Sequence, residues 1–309
     1  MRQSATAFAP ASVGNVAVGF DVLGHSFDAI GDRVAARRIA EPQVRIASIT
    51  GSAVELPLDA QRNTAGMAAF SMVRDLGLDF GVELAIEKGI PIGSGLGGSA
   101  ASAVAAVVAV NALLPQPRSQ LELLKFAMQG EAVASGAVHV DNIAPSLFGG
   151  LVLTVGIDDP NVKQIPVPAG VRCVLVHPHM QLATRAAREI LNRSIDLSNV
   201  IWQSANLAGF LTGCFTNDLP LIRASLEDVV IEPQRKTLIP GFDAVKEGAL
   251  CNGALGCSIS GAGPTVFAWC VAPDAEAIRN AMVEAFRAHG LESDAWISPV
   301  EPAGARIVD

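Results

Sequence analysis

The sequence predicts a globular fold that mixes strands and helices, and three observations support this. Half of its 309 residues are hydrophobic and only 17% are charged, which is typical of a chain with a well-filled core. Alternating segments such as residues 82–86 indicate strands, and residues 99–114 are rich in helix formers. A stretch rich in proline and glycine at residues 166–170 predicts a boundary between two domains.

Composition excludes several functional classes. A net charge of −8 and an isoelectric point near 5.2 argue against nucleic acid or an anionic membrane as partner. The five cysteines lack metal-type spacing, which favours a reducing cytoplasm. The longest apolar helix is too short to span a bilayer, and Pro10 and Asn15 interrupt any N-terminal signal-like segment.

The first hundred residues combine strands, a small-residue loop and a helix. Residues 5–24 predict a strand and then a loop in which Asn15 and Asp21 stand among apolar neighbours, where a buried polar group needs a partner or a function. Residues 34–39 and 44–49 predict a hairpin around Glu41 and Pro42. A helix is predicted from Asn63 to about residue 76.

Residues 89–98 contain five glycines between a predicted strand and a predicted helix. Glycine lets the backbone approach a ligand closely, and the first turn of a helix offers free N–H groups and the positive end of the helix dipole. This arrangement predicts an anion site, most often for phosphate.

Two standard phosphate loops do not fit residues 89–98. A P-loop needs a lysine and a hydroxyl residue after its last glycine, but Ser99 and Ala100 follow Gly98. The dinucleotide pattern matches the glycines, but the acidic residue expected about 20 positions later is missing. The next acid, Glu122, forms a predicted helix-capping box with Ser119.

The middle of the chain concentrates polar residues. Glu131 stands near the end of the helix that follows the capping box, where a lone glutamate is usually solvated. An unusual loop predicted near residues 135–150 holds His139, Asp141 and Asn142 close together. His177 is two residues before a second histidine, but no acidic residue is near, so a metal site there is disfavoured.

The last third predicts further helices and strands. A strand is predicted at residues 171–177, a helix opening at residue 184, and a core helix at residues 202–214. A second glycine loop at residues 256–264 leads into a strand at 265–271, a helix at 275–289 and a short strand at 305–308.

The segment from Pro91 to Ala101, Pro-x-x-x-Gly-Leu-Gly-x-Ser-Ala-Ala, resembles the ATP-binding signature of the GHMP small-molecule kinases. Gly98 departs from the pattern, because the family usually has a serine there, whereas Ser99 is kept. Three further motifs follow the family order. They are the Asn-x-x-x-Gly-Phe-Asp string beginning at Asn15, the stretch around His139, and the second glycine loop. Two of these are similar to motifs of the homoserine kinases in particular.

The resemblance implies an α+β, two-domain GHMP kinase fold with a nucleotide-loop domain at residues 1–168 and a ferredoxin-like domain at 169–309. The active site would lie between them, and the protein would be a homodimer. The implied reaction is ATP-dependent phosphorylation of the side-chain hydroxyl of L-homoserine to O-phospho-L-homoserine, a step of threonine biosynthesis.

The resemblance also implies roles for particular residues. ATP would be bound by Asn63, Pro91, Ile92, Gly93, Ser94, Gly95, Leu96, Gly97, Gly98, Ser99, Ala100 and Ala101, with Mg²⁺ on Ser99 and Glu131. Homoserine would be bound by Asn15, Asp21, His139, Asn142, Arg188, Arg235 and Gly261. Ser99, Glu131, Asp141 and Asn142 would form the catalytic group, in which an orienting role for Asp141 is favoured over that of a base.

The chemistry of a free amino acid supports these roles. Its carboxylate favours arginine, which can donate two parallel hydrogen bonds, and its ammonium group favours a carboxylate such as Asp21. Two alternatives stay open, a GHMP kinase for another alcohol (mevalonate-type or a sugar) and a non-catalytic member that binds a small ligand. The His139–Asn142 stretch and the two arginines favour the amino acid, while Ser99 and Glu131 favour catalysis.

Overall fold

The structure of the protein, a computed structural model, describes residues 2–52, 56–135, 138–156, 159–301 and 303–309. Its strands are β1 (Ser4–Gly14), β2 (Leu23–Ile39), β3 (Val44–Gly51), β4 (Gly81–Lys88), β5 (Leu151–Val155), β6 (Asn161–Ile165), β7 (Val171–Pro178), β8 (Gly256–Ile259), β9 (Val266–Val271), β10 (Ser293–Pro299) and β11 (Arg306–Ile307).

The helices fall into two groups along the chain. The first four are α1 (Thr64–Asp75), α2 (Gly98–Asn111), α3 (Gln120–Ser135) and α4 (Val140–Phe148). The others are α5 (Thr184–Glu189), α6 (Leu197–Thr216), α7 (Leu219–Ser225), α8 (Glu232–Arg235), α9 (Phe242–Cys251) and α10 (Ala275–Ala288). The predicted loop that holds Asp141 and Asn142 is therefore wrong from residue 140 onward, because α4 begins there.

Within the described residues the larger sheet has the strand order β11-β1-β2-β4-β3, with β5 on β2 and β6 on β5. The predicted hairpin of β2 and β3 is wrong, because β4 lies between them. The strands β3 and β4 are parallel, and a parallel pair needs a crossover connection rather than a tight turn. The helix α1 supplies that crossover.

The helix α2 is the centre of the first domain. It packs on β1, β2, α1 and α3, and ten of its residues are buried. Its many alanines allow this, because small side chains let neighbouring backbones approach closely. The N-terminus of α2 is thereby held at a defined place above the sheet.

The smaller sheet has the order β10-β7-β9-β8 and is antiparallel throughout, which is the ferredoxin-like arrangement of a β-α-β-β-α-β unit. Both of its faces are apolar. Leu175 and Trp269 point into the core of the larger sheet, whereas Val174 and Ala268 pack with α9 and α10. Neighbouring residues of a strand face opposite sides, which explains the continuous apolar run in β7.

The two sheets share structural contacts. Trp269 Nε1 donates a hydrogen bond of 3.1 Å to the buried His25 Nε2, and this joins β9 to β2. The last strand, β11, pairs with β1 of the larger sheet although it follows the smaller sheet in sequence. The division at residue 168 stays a prediction.

The helix α6 differs from its expected place in the core. Phe210 is buried, but Trp202 is 62% exposed and Phe215 is 61% exposed. The spacing predicted the helix correctly, yet it could not distinguish a helix covered on one side from one covered on both. None of the helices in the described segments is long and apolar enough to cross a membrane.

Candidate active site

The loop between β4 and α2 has the backbone that its glycines predict. Gly93, Gly95 and Gly97 have φ values of 68°, 76° and 66°, in the left-handed region that favours glycine. Gly97 stands at the N-cap position, so the free N–H groups of the first turn of α2 begin just beyond it. The loop and helix end therefore have the backbone geometry that the predicted anion site requires.

The second glycine loop holds the first one in place. Ser260 Oγ donates a hydrogen bond of 2.8 Å to the Gly95 carbonyl, and Thr265 Oγ1 donates one of 2.6 Å to the Ser94 carbonyl. A Cβ on Gly95 would lie 2.5 Å from the Ser260 carbonyl oxygen, so no larger residue fits there. The Thr265 hydroxyl group also contacts β7, because His177 Nδ1 lies 3.1 Å from Thr265 Oγ1.

A buried ion pair fixes both ends of the β4–α2 loop. Lys88 Nζ pairs with the Asp32 carboxylate and donates a hydrogen bond of 2.7 Å to the Gly98 carbonyl. The other oxygen of Asp32 accepts hydrogen bonds of 3.0 and 3.1 Å from the N–H groups of Gly89 and Ile90. Sequence reasoning missed this pair, because its members are 56 positions apart and neither belongs to a motif.

Ser99 and Glu131 meet, as the resemblance implied. Ser99 Oγ donates a hydrogen bond of 3.0 Å to Glu131 Oε1. Glu131 is 3% exposed, and its buried Oε2 has no hydrogen-bond partner. His139 Nδ1 lies 3.3 Å from Glu131 Oε1, and this contact raises the pKa of His139. Glu131 is therefore not a solvated surface glutamate.

The loop after β1 is strained. Asn15, Val16, Ala17 and Asp21 all have positive φ although none of them is glycine, and such residues each cost on the order of 1–2 kcal/mol. The side chain of Asn15 secures the loop, because its Nδ2 donates 2.8 Å to the Gly261 carbonyl and its Oδ1 accepts 3.0 Å from the Asp21 N–H. Backbone strain held in this way is common at functional sites.

Asp141 and Asn142 lie beside this loop at the start of α4. Asp141 accepts hydrogen bonds of 3.2 Å from the Asn15 N–H and from Asn142 Nδ2, and Asn142 Oδ1 accepts 3.0 Å from Ser12 Oγ. Burial, together with the negative charge of Asp21, raises the pKa of Asp141 to about 6. Both oxygens of Asp141 are thus engaged by the protein.

The two predicted carboxylate-binding arginines differ in environment. Arg235 is 3% exposed and donates to the carbonyls of Ala187 at 3.0 Å and Gly261 at 2.9 Å, and no described carboxylate pairs with it. Burial lowers its pKa, and the charge of Arg188 adds to this. Arg188 instead forms a two-point ion pair with Asp21.

One cavity of about 430 Å³ joins these groups. Its lining includes the apolar residues Leu56, Pro57, Ile86 and Ile92 and the charged residues Arg235 and Asp21. The cavity has the size and the mixed lining of a small-molecule site.

Comparison with known proteins identifies the family. The family descriptions "GHMP kinases N terminal domain" and "GHMP kinases C terminal" match residues 63–150 and 210–288. A homoserine kinase of Xylella fastidiosa (strain M12) is 53% identical over 98% of this chain and 94% of its own length. One of Xanthomonas campestris pv. campestris (strain B100) is 51% identical over 99% and 94%. The chain belongs to the homoserine kinase family.

Solved structures agree with this assignment. The crystal structure of a homoserine kinase from Cytophaga hutchinsonii has a TM-score of 0.97 at 45% identity, covering 100% of this chain and 98% of the other. The L. major mevalonate kinase in complex with R-mevalonate has a TM-score of 0.68 at 14% identity, covering 96% of each chain. This second likeness concerns the fold alone. The predicted two-domain GHMP kinase fold is confirmed.

Most residues that the homoserine kinase motifs singled out line the cavity. Leu96, Ala100 and Ala101 do not line it, because their side chains are buried in the hydrophobic core. Asn63 lines the cavity, but its Oδ1 also accepts hydrogen bonds from the N–H groups of Ala65 and Gly66 and so caps α1. Part of the role of Asn63 is therefore structural.

Proposed function

We propose that the protein transfers the γ-phosphoryl group of ATP to the side-chain hydroxyl of L-homoserine and forms O-phospho-L-homoserine and ADP. The main support for this proposal is Arg235. Its guanidinium group is buried, forms no ion pair with an acidic residue in the part of the chain that the structure describes, and lies in the same cavity as the β4–α2 loop. A buried cation needs an anion, and the planar fork of arginine matches a carboxylate. The β4–α2 loop, which lines the same cavity, supplies the second half of a kinase site.

The nucleotide would bind with its base against the apolar residues of the cavity lining. There the base would lie near Asn63, Ile86 and Ile92, and the phosphates would reach the glycine loop and the N-terminus of α2. The N–H groups of that loop and the helix dipole favour negative charge, and they are held in place before the substrate binds. Phosphoryl transfer depends mainly on such positioning.

Ser99 and Glu131 fit a Mg²⁺ site. Glu131 Oε2 is buried without a partner, and hard oxygen atoms are the ligands that Mg²⁺ prefers together with substrate phosphates. A bound Mg²⁺ would supply charge neutralisation at the phosphates. His139 contacts the same Glu131 oxygen as Ser99, Oε1, and so helps to orient the carboxylate that would carry the ion.

The amino acid would bind beside the charged residues of the cavity lining. Its carboxylate would reach Arg235 and Arg188, and its ammonium group Asp21. Asn142, whose Oδ1 accepts a hydrogen bond from Ser12, would orient the carbon chain of homoserine near its hydroxyl group. The hydroxyl oxygen then forms a bond to the γ-phosphorus as the bond from that phosphorus to ADP breaks, and an oxygen of the transferred phosphoryl group takes up the hydroxyl proton. Asp141 has both oxygens engaged, which supports an orienting role over that of a base.

A coupled assay of ADP release with homoserine, mevalonate and galactose tests the substrate. We expect turnover with homoserine only. Arg235→Ala should lower the specificity constant for homoserine by roughly ten- to hundred-fold and leave the KM for ATP unchanged, because it removes a charge-assisted hydrogen bond. Its effect on 3-aminopropanol, which lacks the carboxylate, should be small. Equal losses on both substrates, or turnover of another alcohol, would contradict the proposal.

We also propose a homodimer in the cytoplasm. The helix α6 has no charged residue, and its exposed face carries Leu197 and Ile201 at one end, Phe215 at the other, and alanines between them. If the α6 helices of two subunits packed antiparallel, the large residues at their ends would contact each other, and the alanines would lie where the two helices come closest. Light scattering after size-exclusion chromatography should give a dimer, and Ile201→Asp should give a monomer; an unchanged dimer would exclude this face.

A further inference from the structure

The ring of Phe20 lies next to both arginines of the proposed carboxylate site. The Cζ atom of Arg235 lies 5.1 Å from the ring centroid, and that of Arg188 lies 5.4 Å from it. Both distances fall within the roughly 6 Å range of a cation–π contact. Phe20 precedes Asp21 in the strained loop, so the same loop brings the ring and the carboxylate to the two cations.

Phe20 has no evident role in the hydrophobic core. It is half-buried, and among the described residues it belongs to neither of the two core clusters. It does not line the cavity either. The structure does show two specific contacts of this ring, one with each guanidinium group.

Two neighbouring guanidinium groups repel each other, and Asp21 forms hydrogen bonds with Arg188, whereas it acts on Arg235 through its charge alone. The negative face of an aromatic ring attracts both cations without competing for their N–H donors. When Asp21 engages an ammonium group, the ring still holds Arg188. Phe20 thus has the chemistry that a two-arginine carboxylate site needs.

We propose that Phe20 is a positioning residue whose ring holds Arg188 and Arg235 in the arrangement that receives the substrate carboxylate. This inference rests on the proposed function, because the carboxylate belongs to homoserine. It assigns part of the specificity for an amino acid to a side chain that does not touch the amino acid.

A series of ring-fluorinated phenylalanines at position 20 tests the proposal. Each fluorine weakens the negative face of the ring and changes its volume little. We expect the logarithm of the specificity constant for homoserine to fall steadily with the number of fluorines. The total loss should be about five- to thirty-fold, as expected for a cation–π contact of roughly 1–2 kcal/mol. The KM for ATP and the specificity constant for 3-aminopropanol should not change.

Two comparisons complete the experiment. Phe70, whose ring lies 5.7 Å from Arg74 on α1, serves as the matched control, and fluorination there should leave homoserine kinetics unchanged. Phe20→Leu should resemble the fully fluorinated protein, and Phe20→Tyr should resemble the native one. Circular dichroism and thermal unfolding check that each variant is folded.

The outcomes separate this inference from the proposed function. If the native protein phosphorylates homoserine but the fluorine series is flat, the role of Phe20 is wrong and the function stands. If homoserine and 3-aminopropanol lose activity equally, Phe20 acts through the loop rather than through the carboxylate, which also overturns the inference. If the native protein does not phosphorylate homoserine, the proposed function is wrong, and the inference fails with it.

Discussion

Arg188 donates two hydrogen bonds of 2.9 Å to Asp21, one to each carboxylate oxygen. The resemblance implied that Asp21 binds the ammonium group of the substrate and Arg188 its carboxylate, but in the structure these two residues bind each other. Homoserine carries both an ammonium and a carboxylate group, so it can replace each partner by one of its own charges. A ligand with only one charge would leave one member of the pair unmatched.

Asp21→Asn tests this exchange. The specificity constant of this variant for homoserine should fall by roughly ten-fold or more, because the ammonium group of the substrate loses its partner. It should bind 4-hydroxybutyrate, which lacks the ammonium group, better than the native protein does, because Arg188 is then free. The control is Asp28→Asn, which breaks the similar pair of Asp28 with Arg306 outside the cavity. Weaker binding of 4-hydroxybutyrate to the Asp21 variant would contradict the exchange.

Gly97→Ala should damage the nucleotide site. The new Cβ would lie 2.1 Å from Ser12 Oγ, at a φ of 66° that alanine rarely adopts. We expect the KM for ATP to rise roughly ten-fold or more while the circular dichroism spectrum stays the same. Gly77→Ala is the matched control. It has a similar φ of 57° but open space for the Cβ, so it should lose about 1–2 kcal/mol of stability without a change in ATP kinetics. Native ATP kinetics in the Gly97 variant would mean that the loop does not hold phosphates.

Glu131→Gln should lower turnover and raise the Mg²⁺ concentration that gives half-maximal rate, because it removes one hard oxygen charge. Titration of the rate with Mg²⁺ at saturating ATP measures both effects. Glu122→Gln on the same helix should weaken the helix cap and leave the Mg²⁺ dependence as it is. Equal Mg²⁺ dependence of the native and Glu131 proteins would remove Glu131 from the metal site.

Asp141→Asn should stabilise the protein at pH 8 more than at pH 4. The pKa of Asp141 rises from 3.8 to about 6 on folding, so its ionised form destabilises the native state by up to about 3 kcal/mol above pH 6. The destabilisation is absent below pH 3.8 and grows as the pH rises between these two values. Thermal unfolding at both pH values measures the difference, after allowance for the hydrogen bond that asparagine loses. The rate should fall less than the 10²- to 10⁴-fold loss typical of a missing general base, and a larger fall would favour that role.

His25 should make the protein less stable in acid. Burial lowers the pKa of His25 to about 4, and its Nε2 accepts the Trp269 N–H only when that nitrogen is unprotonated. Unfolded histidine titrates near 6.5, so stability is full above that pH and falls by up to roughly 3 kcal/mol as the pH drops to 4. The free energy of unfolding, measured with denaturant across this pH range, should depend less on pH in His25→Gln than in the native protein. In the exposed control His289→Gln its pH dependence should be that of the native protein. An equally steep fall in the His25 variant would assign the effect elsewhere, for example to His177, which also has a pKa near 4.

The sequence by itself determined the local features of this protein. The glycines of the β4–α2 loop, the Asn63 cap and the Ser119–Glu122 capping box follow from short-range chemistry, and each stands where the pattern predicts it. Most residues that the homoserine kinase motifs selected also line the cavity, because a motif samples positions that the fold brings together.

Only the tertiary structure decided which distant side chains became partners. The insertion of β4 between β2 and β3, the Asp32–Lys88 pair and the Arg188–Asp21 pair join segments far apart in the chain, and no local pattern encodes them. Phe20 is the sharpest case. Its place in the sequence is that of a hydrophobic residue in a loop, and its contact with two arginines exists because two separate parts of the second domain pack against that loop. The physical reason is that burial and charge pairing depend on neighbours in space, whereas a sequence pattern reports only neighbours along the chain.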